Sequence, residues 1–272
     1  MLQLDANRMF VFDLDGVVTN PTNHAVSTVV LNHIADDLKA GKPVAFNTGR
    51  AYPWVEEYVL RNLVPMVSTT DLANLVIVTE MGAVVCTFHD GKPQFVVDTT
   101  IALPKSFHDD VETLLDKKLP DGSCYRDYAW WDQDRQAMGS FIKLQDVALK
   151  DFDRIRPLFT AEVEKLLHVH GLDEFVTGQT AIAVDVQHRS AGKAKGAGRI
   201  IEWMQQRGHN PATVYAFGDS ISDKAMAEAF TQAGINATFI FVGDPTQQHN
   251  TIVTGGNNDV DTAAFLTLRN WK

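Results

Sequence analysis

The chain has 272 residues, of which 45% are hydrophobic and 21% charged. That length allows one large domain or two medium ones of roughly 150 residues, and the composition excludes wholesale disorder. Lys and Arg total 24 against 34 Asp and Glu, a net charge of −10, which argues against nucleic-acid or anionic-membrane partners. Two cysteines, Cys86 and Cys124, make no disulfide framework. No uncharged apolar stretch reaches about 18 residues, and Asp5, Arg8, Asp13 and Asp15 interrupt any signal-peptide core. The expectation is a soluble cytoplasmic protein with no nucleic-acid or membrane partner.

Met9 to Phe12 is an apolar run that stops at Asp13, Asp15 and Gly16, which predicts a buried strand ending in a turn. Val26, Val29, Val30, Ile34 and Leu38 recur at helical spacing and predict a helix from His24 to Ala40, stopped by Gly41. PVAFNTG is a second strand, and a helical pattern with Trp54, Tyr58 and Leu60 begins at Pro53. LVIVTEMGA, residues 75–83, is a third strand. Strand and helix in alternation predict a doubly wound, mostly parallel, Rossmann-like α/β core. The alternation resumes with a helix near Ala197–Gln206, the strand TVYAFGD, the helix DKAMAEAFTQAG, the strand ATFIFVG and a closing helix at 259–268.

Residues from about 92 to 188 break this habit. They hold the aromatic cluster CYRDYAWWDQDRQ, the strands SFIKLQD and AIAVDVQ, and helical stretches near 105–118 and 149–168. They predict an α+β domain at 92–188, inserted into a core of 1–91 and 189–272.

Three predicted strands end in polar residues on the side where open α/β sheets bind ligands. They are Asp13-Leu14-Asp15-Gly16, Asn47-Thr48-Gly49-Arg50, and Gly218-Asp219 leading through Ser220 and Ser222 to Asp223. Lys195-Gly196 opens the helix before the last of them. Two carboxylates at i and i+2 can divide nucleophilic attack and proton transfer, with a divalent cation offsetting their repulsion. The alternative is an acidic turn that solvates a strand end.

Taken together, these motifs resemble the haloacid dehalogenase superfamily, in the branch with a large α/β cap inserted between the second and third motifs. The likeness covers most of 9–90 and 180–265 and includes Glu80 and Gly82-Ala83. Met81 stands where the branch carries Asn or His, and Ser220 and Ser222 depart from its glycine-rich fourth motif. The resemblance implies a magnesium-dependent phosphatase of a small phosphorylated metabolite, with a sugar phosphate as the expected class. It makes Asp13 the nucleophile that forms an aspartyl-phosphate and Asp15 the general acid and base. Thr48 and Lys195 bind the phosphoryl group, with Lys193 as the alternative lysine. Asp13, Asp219 and the main-chain carbonyl of Asp15 hold magnesium. Asp223 supports that shell, and Arg50 helps to orient the substrate or cap. A phosphomutase and a catalytically silent binding protein are the other readings.

Other features carry bland readings beside functional ones. Trp130 and Trp131, with Asp132, Arg126 and Arg135, suit a sugar ring, or belong to the core of the inserted domain. His168 and His170 are a weak metal pair, more simply a solvated loop. Cys86 and Cys124 read as small apolar residues. No P-loop or dinucleotide fingerprint is present.

Overall fold

A computed structural model describes residues 7–247 and 252–268. The chain divides into two compact units, one of Met1–Val96 with Gly192–Lys272, the other of Val97–Ala191.

The first unit is built on an eight-stranded, mostly parallel sheet. Its strands are β1 (Arg8–Phe12), β2 (Val44–Asn47), β3 (Leu75–Thr79), β4 (Val84–His89), β5 (Lys92–Val97), β10 (Thr213–Gly218), β11 (Ala237–Phe241) and β12 (Ile252–Val253), in the order β12-β11-β10-β1-β2-β3-β4-β5. β1 pairs in parallel with both β10 and β2. Side chains alternate faces along a strand, and here both faces are covered. Phe10 and Phe12 pack under α1 (Thr28–Lys39) and α8 (Asp259–Leu268), whereas Met9 and Val11 pack under α6 (Lys193–Arg207) and α7 (Lys224–Gln232). This double cover is why β1, β2, β3 and β10 read as continuous apolar runs rather than alternating ones. From β1 the chain moves outward to β2 and β3; it later returns to β1's other side for β10 and β11. The switch of direction therefore falls between β1 and β10, where open sheets of this kind bind ligands.

Three expectations change. α1 begins at Thr28 rather than His24, because residues 18–27 double back on themselves: Asn20 N–H donates to Ala25 O (2.8 Å) and Ser27 N–H to Val18 O (2.9 Å). The helix predicted from Pro53 is short and broken: α2 (Tyr52–Val55), a π-helical segment Glu56–Leu60 and α3 (Arg61–Leu63). β5, expected at the start of the inserted domain, belongs to the core sheet, and residues 189–191 group with the second unit. Asp90-Gly91 is the cause, since both residues have positive φ (50° and 74°). That is the two-residue turn that folds β5 back beside β4.

The second unit is a four-stranded antiparallel sheet in the order β6-β7-β9-β8, formed by β6 (Ala129–Trp131), β7 (Gly139–Lys143), β8 (Phe175–Gln179) and β9 (Ala183–His188). Its core joins the sheet's Phe141, Val184 and Val186 to Phe107 and Val111 of α4 (Lys105–Leu115) and to Phe152, Ile155 and Phe159 of α5 (Leu149–Val169). Among the described residues no helix is long and apolar enough to cross a membrane.

Candidate active site

β1 hands over to its acidic turn without leaving the ladder: Asp13 N–H donates to Phe217 O of β10 at 3.0 Å. The turn then wraps around one carbonyl, with Leu14 O accepting from the N–H groups of Val17 (3.2 Å), Val18 (2.9 Å) and Thr19 (3.0 Å). Gly16 has φ +70°, and a Cβ built there would lie 2.1 Å from Asp219 Oδ2. The glycine of the DxDG motif is thus required twice, for its backbone angle and because the β10 carboxylate lies against it. Asn258, also with positive φ (56°), reaches the same carboxylate, its amide donating to Asp219 Oδ2 at 3.4 Å.

The ammonium that meets Asp13 belongs to Lys193, not Lys195. Lys193 Nζ stands 2.7 Å from Asp13 Oδ1 and 2.8 Å from Asp223 Oδ1, and donates to Asn47 O at 2.8 Å. The reason is the phase of α6. Its buried residues are Lys193, Gly196, Ala197, Ile200, Trp203 and Met204, one stripe at the i, i+3, i+4, i+7 spacing of a helix face. Lys195 lies about 200° around the helix from Lys193 and is only half-buried, outside that stripe. Gly196, which made Lys195 attractive, has another role. A Cβ there would lie 2.1 Å from Asn47 Oδ1, and Asn47 Nδ2 donates to Lys193 O at 2.9 Å. Asn47 and Gly196 together lock the start of α6 against the end of β2. Asp223 completes the arrangement from a fully buried position: its Oδ2 accepts from Ser220 N–H (3.0 Å) and Ser220 Oγ (2.8 Å). With Oδ1 facing Lys193, Asp223 is a support for the lysine.

Thr48 follows β2 and is almost wholly buried; its Oγ1 accepts from Arg50 N–H at 3.2 Å. The parallel register Phe12–Phe46 puts it level with the residues after β1. Arg50 grips the second aspartate, with Nε to Asp15 Oδ2 at 2.8 Å and Nη2 to Asp15 Oδ1 at 2.9 Å. Glu80, Met81 and Gly82 all have positive φ. Their backbone ties three segments together: Glu80 N–H to Arg50 O (3.1 Å), Met81 N–H to Thr48 O (3.2 Å) and Gly192 N–H to Met81 O (2.7 Å).

Asp13, Asp219 and Asp223 each offer a ligand oxygen within 4.8 Å of the others. Burial pushes the Asp13 carboxyl up to about 7; Lys193 opposes the rise and Asp223 adds to it. Burial, reinforced by Asp223, pushes Asp219 up to about 6. Burial also works against the Lys193 ammonium, but Asp13 and Asp223 outweigh it and hold that group above the ordinary lysine value. The Lys193 ammonium pairs with Asp13 and Asp223, and Asp219 adds a third carboxylate to the cluster, negative charge that a divalent cation would offset. The donors are all oxygens, which suits a hard ion such as magnesium, and Gly16 leaves the space that the Asp219 carboxylate occupies.

No family model and no curated protein matches the chain. Solved structures do match it over nearly its whole length. The C-terminal domain of trehalose-6-phosphate phosphatase from C. albicans has a TM-score of 0.66 at 13% identity, covering 96% of this chain and 91% of that one. A haloacid dehalogenase-like hydrolase from Bacteroides thetaiotaomicron has 0.62 at 13%, covering 96% and 98%. N-terminally truncated IMP-nucleotidase from Plasmodium falciparum has 0.54 at 14%, covering 97% and 70%. The chain has the haloacid dehalogenase-like fold.

Several parts of this candidate site in the haloacid dehalogenase-like fold lie outside the sequence motifs. Asn258 and His24 reach it only through contacts between residues far apart in sequence, and Asn47, though part of the second motif, gains its role only from its distant partner Lys193 O. Lys193 had a usable signal, because counting back from Trp203 and Ile200 at helical spacing arrives at 196/197 and 193. In the second unit the two tryptophans separate. Trp131 is 1% exposed and hydrogen-bonds His108 Nδ1 at 2.9 Å, so it is a core residue, whereas Trp130 is 41% exposed. Arg135 pairs with Asp132, and Arg126 with Asp116 and Glu112. His168 and His170 lie at the end of α5 and face different carboxylates, Asp173 at 3.7 Å and Asp110 at 2.7 Å. Cys86 is buried, which pushes its thiol up to about 12, and such a thiol is inert.

Proposed function

We propose that this chain is a magnesium-dependent phosphatase of a small phosphorylated metabolite, with a sugar phosphate as the substrate class. The observation that carries the reading is the buried Lys193 ammonium between Asp13 and Asp223, beside Asp219, at the switch point of the sheet. Phosphoryl transfer needs positioning and neutralised charge more than elaborate covalent chemistry. This cluster supplies a nucleophile, a fixed cation and carboxylates for a second cation in one place. The haloacid dehalogenase-like fold and the phosphatase and nucleotidase among its structural likenesses support the same reading.

In this mechanism an Asp13 carboxylate oxygen attacks phosphorus and forms an aspartyl-phosphate. The bond from phosphorus to the substrate oxygen breaks, and its electron pair leaves with that oxygen, which takes a proton from Asp15. Asp15 then removes a proton from water as the water attacks phosphorus. The bond to Asp13 breaks, releasing phosphate and restoring the carboxylate. Lys193 orients Asp13 and offsets charge on the transferring group, and the Thr48 hydroxyl donates to it. Asp13, Asp219 and the carbonyl of Asp15 would hold magnesium, which supplies electrostatic stabilisation of the phosphoryl oxygens. Asp223 keeps Lys193 in place.

The test is release of p-nitrophenol from p-nitrophenyl phosphate with magnesium, with EDTA, and with Asp13→Asn. Turnover that requires magnesium and disappears in Asp13→Asn is expected. Full activity in EDTA would contradict the metal assignment, and substantial activity in a folded Asp13→Asn would remove Asp13 as nucleophile.

A further inference from the structure

The doubled-back segment after the acidic turn brings one side chain onto Asp15. His24 Nδ1 stands 3.5 Å from Asp15 Oδ1. That nitrogen is buried and has no hydrogen-bond partner. The ring is wedged edge-on against Trp54 (centroids 5.6 Å apart, interplanar angle 83°) and Tyr58 (5.7 Å, 71°). Trp54 and Tyr58 stack on each other at 4.8 Å, and the Arg50 guanidinium lies 4.8 Å over the Trp54 ring. One aromatic group therefore supports both residues that face the Asp15 carboxylate, Arg50 and His24. Tyr58 lies within the π-helical segment Glu56–Leu60, and such segments often mark functional sites.

His24 also has φ +57°. A left-handed conformation costs a residue with a Cβ about 1–2 kcal/mol, and glycine or asparagine would fill this turn more easily. The segment keeps a histidine where the backbone disfavours one, and the imidazole it gains is aimed at Asp15. Observed strain of this kind is a pointer to function.

We propose that His24 is a positioning residue for Asp15: with Arg50 it fixes the carboxyl group in the orientation from which it protonates the leaving oxygen. The proposal rests on the phosphatase reading. It predicts an effect that depends on the leaving group, because protonation matters most when that oxygen is basic. Phenyl phosphate and p-nitrophenyl phosphate are nearly the same size. Phenolate, tyrosine-like with a pKa of about 10, needs the proton far more than nitrophenolate.

The experiment compares kcat and KM on both esters, with magnesium, for the unaltered protein, His24→Gly and His24→Asn. His24→Gly removes the imidazole and relieves the backbone, so the protein is expected to fold. The ratio of kcat on phenyl phosphate to kcat on p-nitrophenyl phosphate is expected to fall about 10-fold, a part of the total worth of a general acid, with KM little changed. His24→Asn, which tolerates the turn and keeps a donor, is expected to recover part of that ratio. Equal losses on both esters, no loss on either, or no recovery with Asn would overturn the role given to His24. No magnesium-dependent release from either ester by the unaltered protein would overturn the phosphatase reading, and the role with it.

Discussion

Replacing Lys193 with Met leaves two buried carboxylates facing each other without their ammonium. The contacts of 2.7 and 2.8 Å correspond to about 6 kcal/mol of gross attraction each at an effective dielectric constant of about 20. Burying the ammonium offsets much of that, and removing one partner of a buried pair typically costs about 3–5 kcal/mol. Two partners are orphaned here, so the upper end of that range applies. For a protein of this size the loss is on the order of 10 °C in the Tm of the first unit. The sign with pH follows from Asp13. Burial already holds its carboxyl near 7, with Lys193 opposing; without the lysine the value rises further above that of the unfolded chain. A carboxyl raised in this way contributes stability below its unfolded value, about 3.9, and loses it as pH rises through the folded one. The Tm deficit of Lys193→Met is therefore largest near pH 8 and shrinks toward pH 5. Turnover of p-nitrophenyl phosphate falls in parallel, by about 10²–10³-fold, as when a fixed electrostatic partner of a transition state is removed. Differential scanning calorimetry at the two pH values, with steady-state rates, reads both effects beside Lys195→Met. The reasoning fails if Lys195→Met loses stability and activity while Lys193→Met keeps them.

Asp219→Asn removes a carboxyl that burial and Asp223 push up to about 6. The same sign rule makes the metal-free variant more stable than the parent at pH 8, by about 3 kcal/mol, with the difference gone near pH 4. Added magnesium should raise the Tm of the parent only; a variant that gains equally from magnesium would remove Asp219 from the metal site. The two glycines of α6 should respond in opposite directions. A Cβ at Gly196 would lie 2.1 Å from Asn47 Oδ1, whereas nothing lies within 4 Å of one at Gly198. Gly196→Ala is expected to destabilise by about 1–3 kcal/mol and to lower activity through Lys193, while Gly198→Ala stabilises by about 0.5–1 kcal/mol. Equal Tm values for the two variants in urea or thermal unfolding would discard the account of why Gly196 is a glycine.

The sequence alone determined where the candidate site starts. A buried strand that breaks into Asp13-Leu14-Asp15-Gly16, a second ending at Thr48 and a third ending at Gly218-Asp219 are local patterns, because burial on both faces of a sheet demands apolar runs and polar residues can appear only at their ends. Asp90-Gly91 carries a local turn signal, yet the change of habit after residue 92 predicted the inserted domain there, and only the pairing of β5 with β4 puts that strand in the core sheet. Tertiary packing decided the rest. Lys193 and Lys195 are equally charged and two residues apart; only the face that α6 buries selects one of them. Gly16 is a glycine because Asp219 arrives from β10, and Gly196 because Asn47 arrives from β2. Asn258 and His24 come to the carboxylates from loops whose approach no spacing along the chain encodes. Periodicity records which residues share a face, but which distant carboxylate, amide or ring meets that face is decided only when the elements pack.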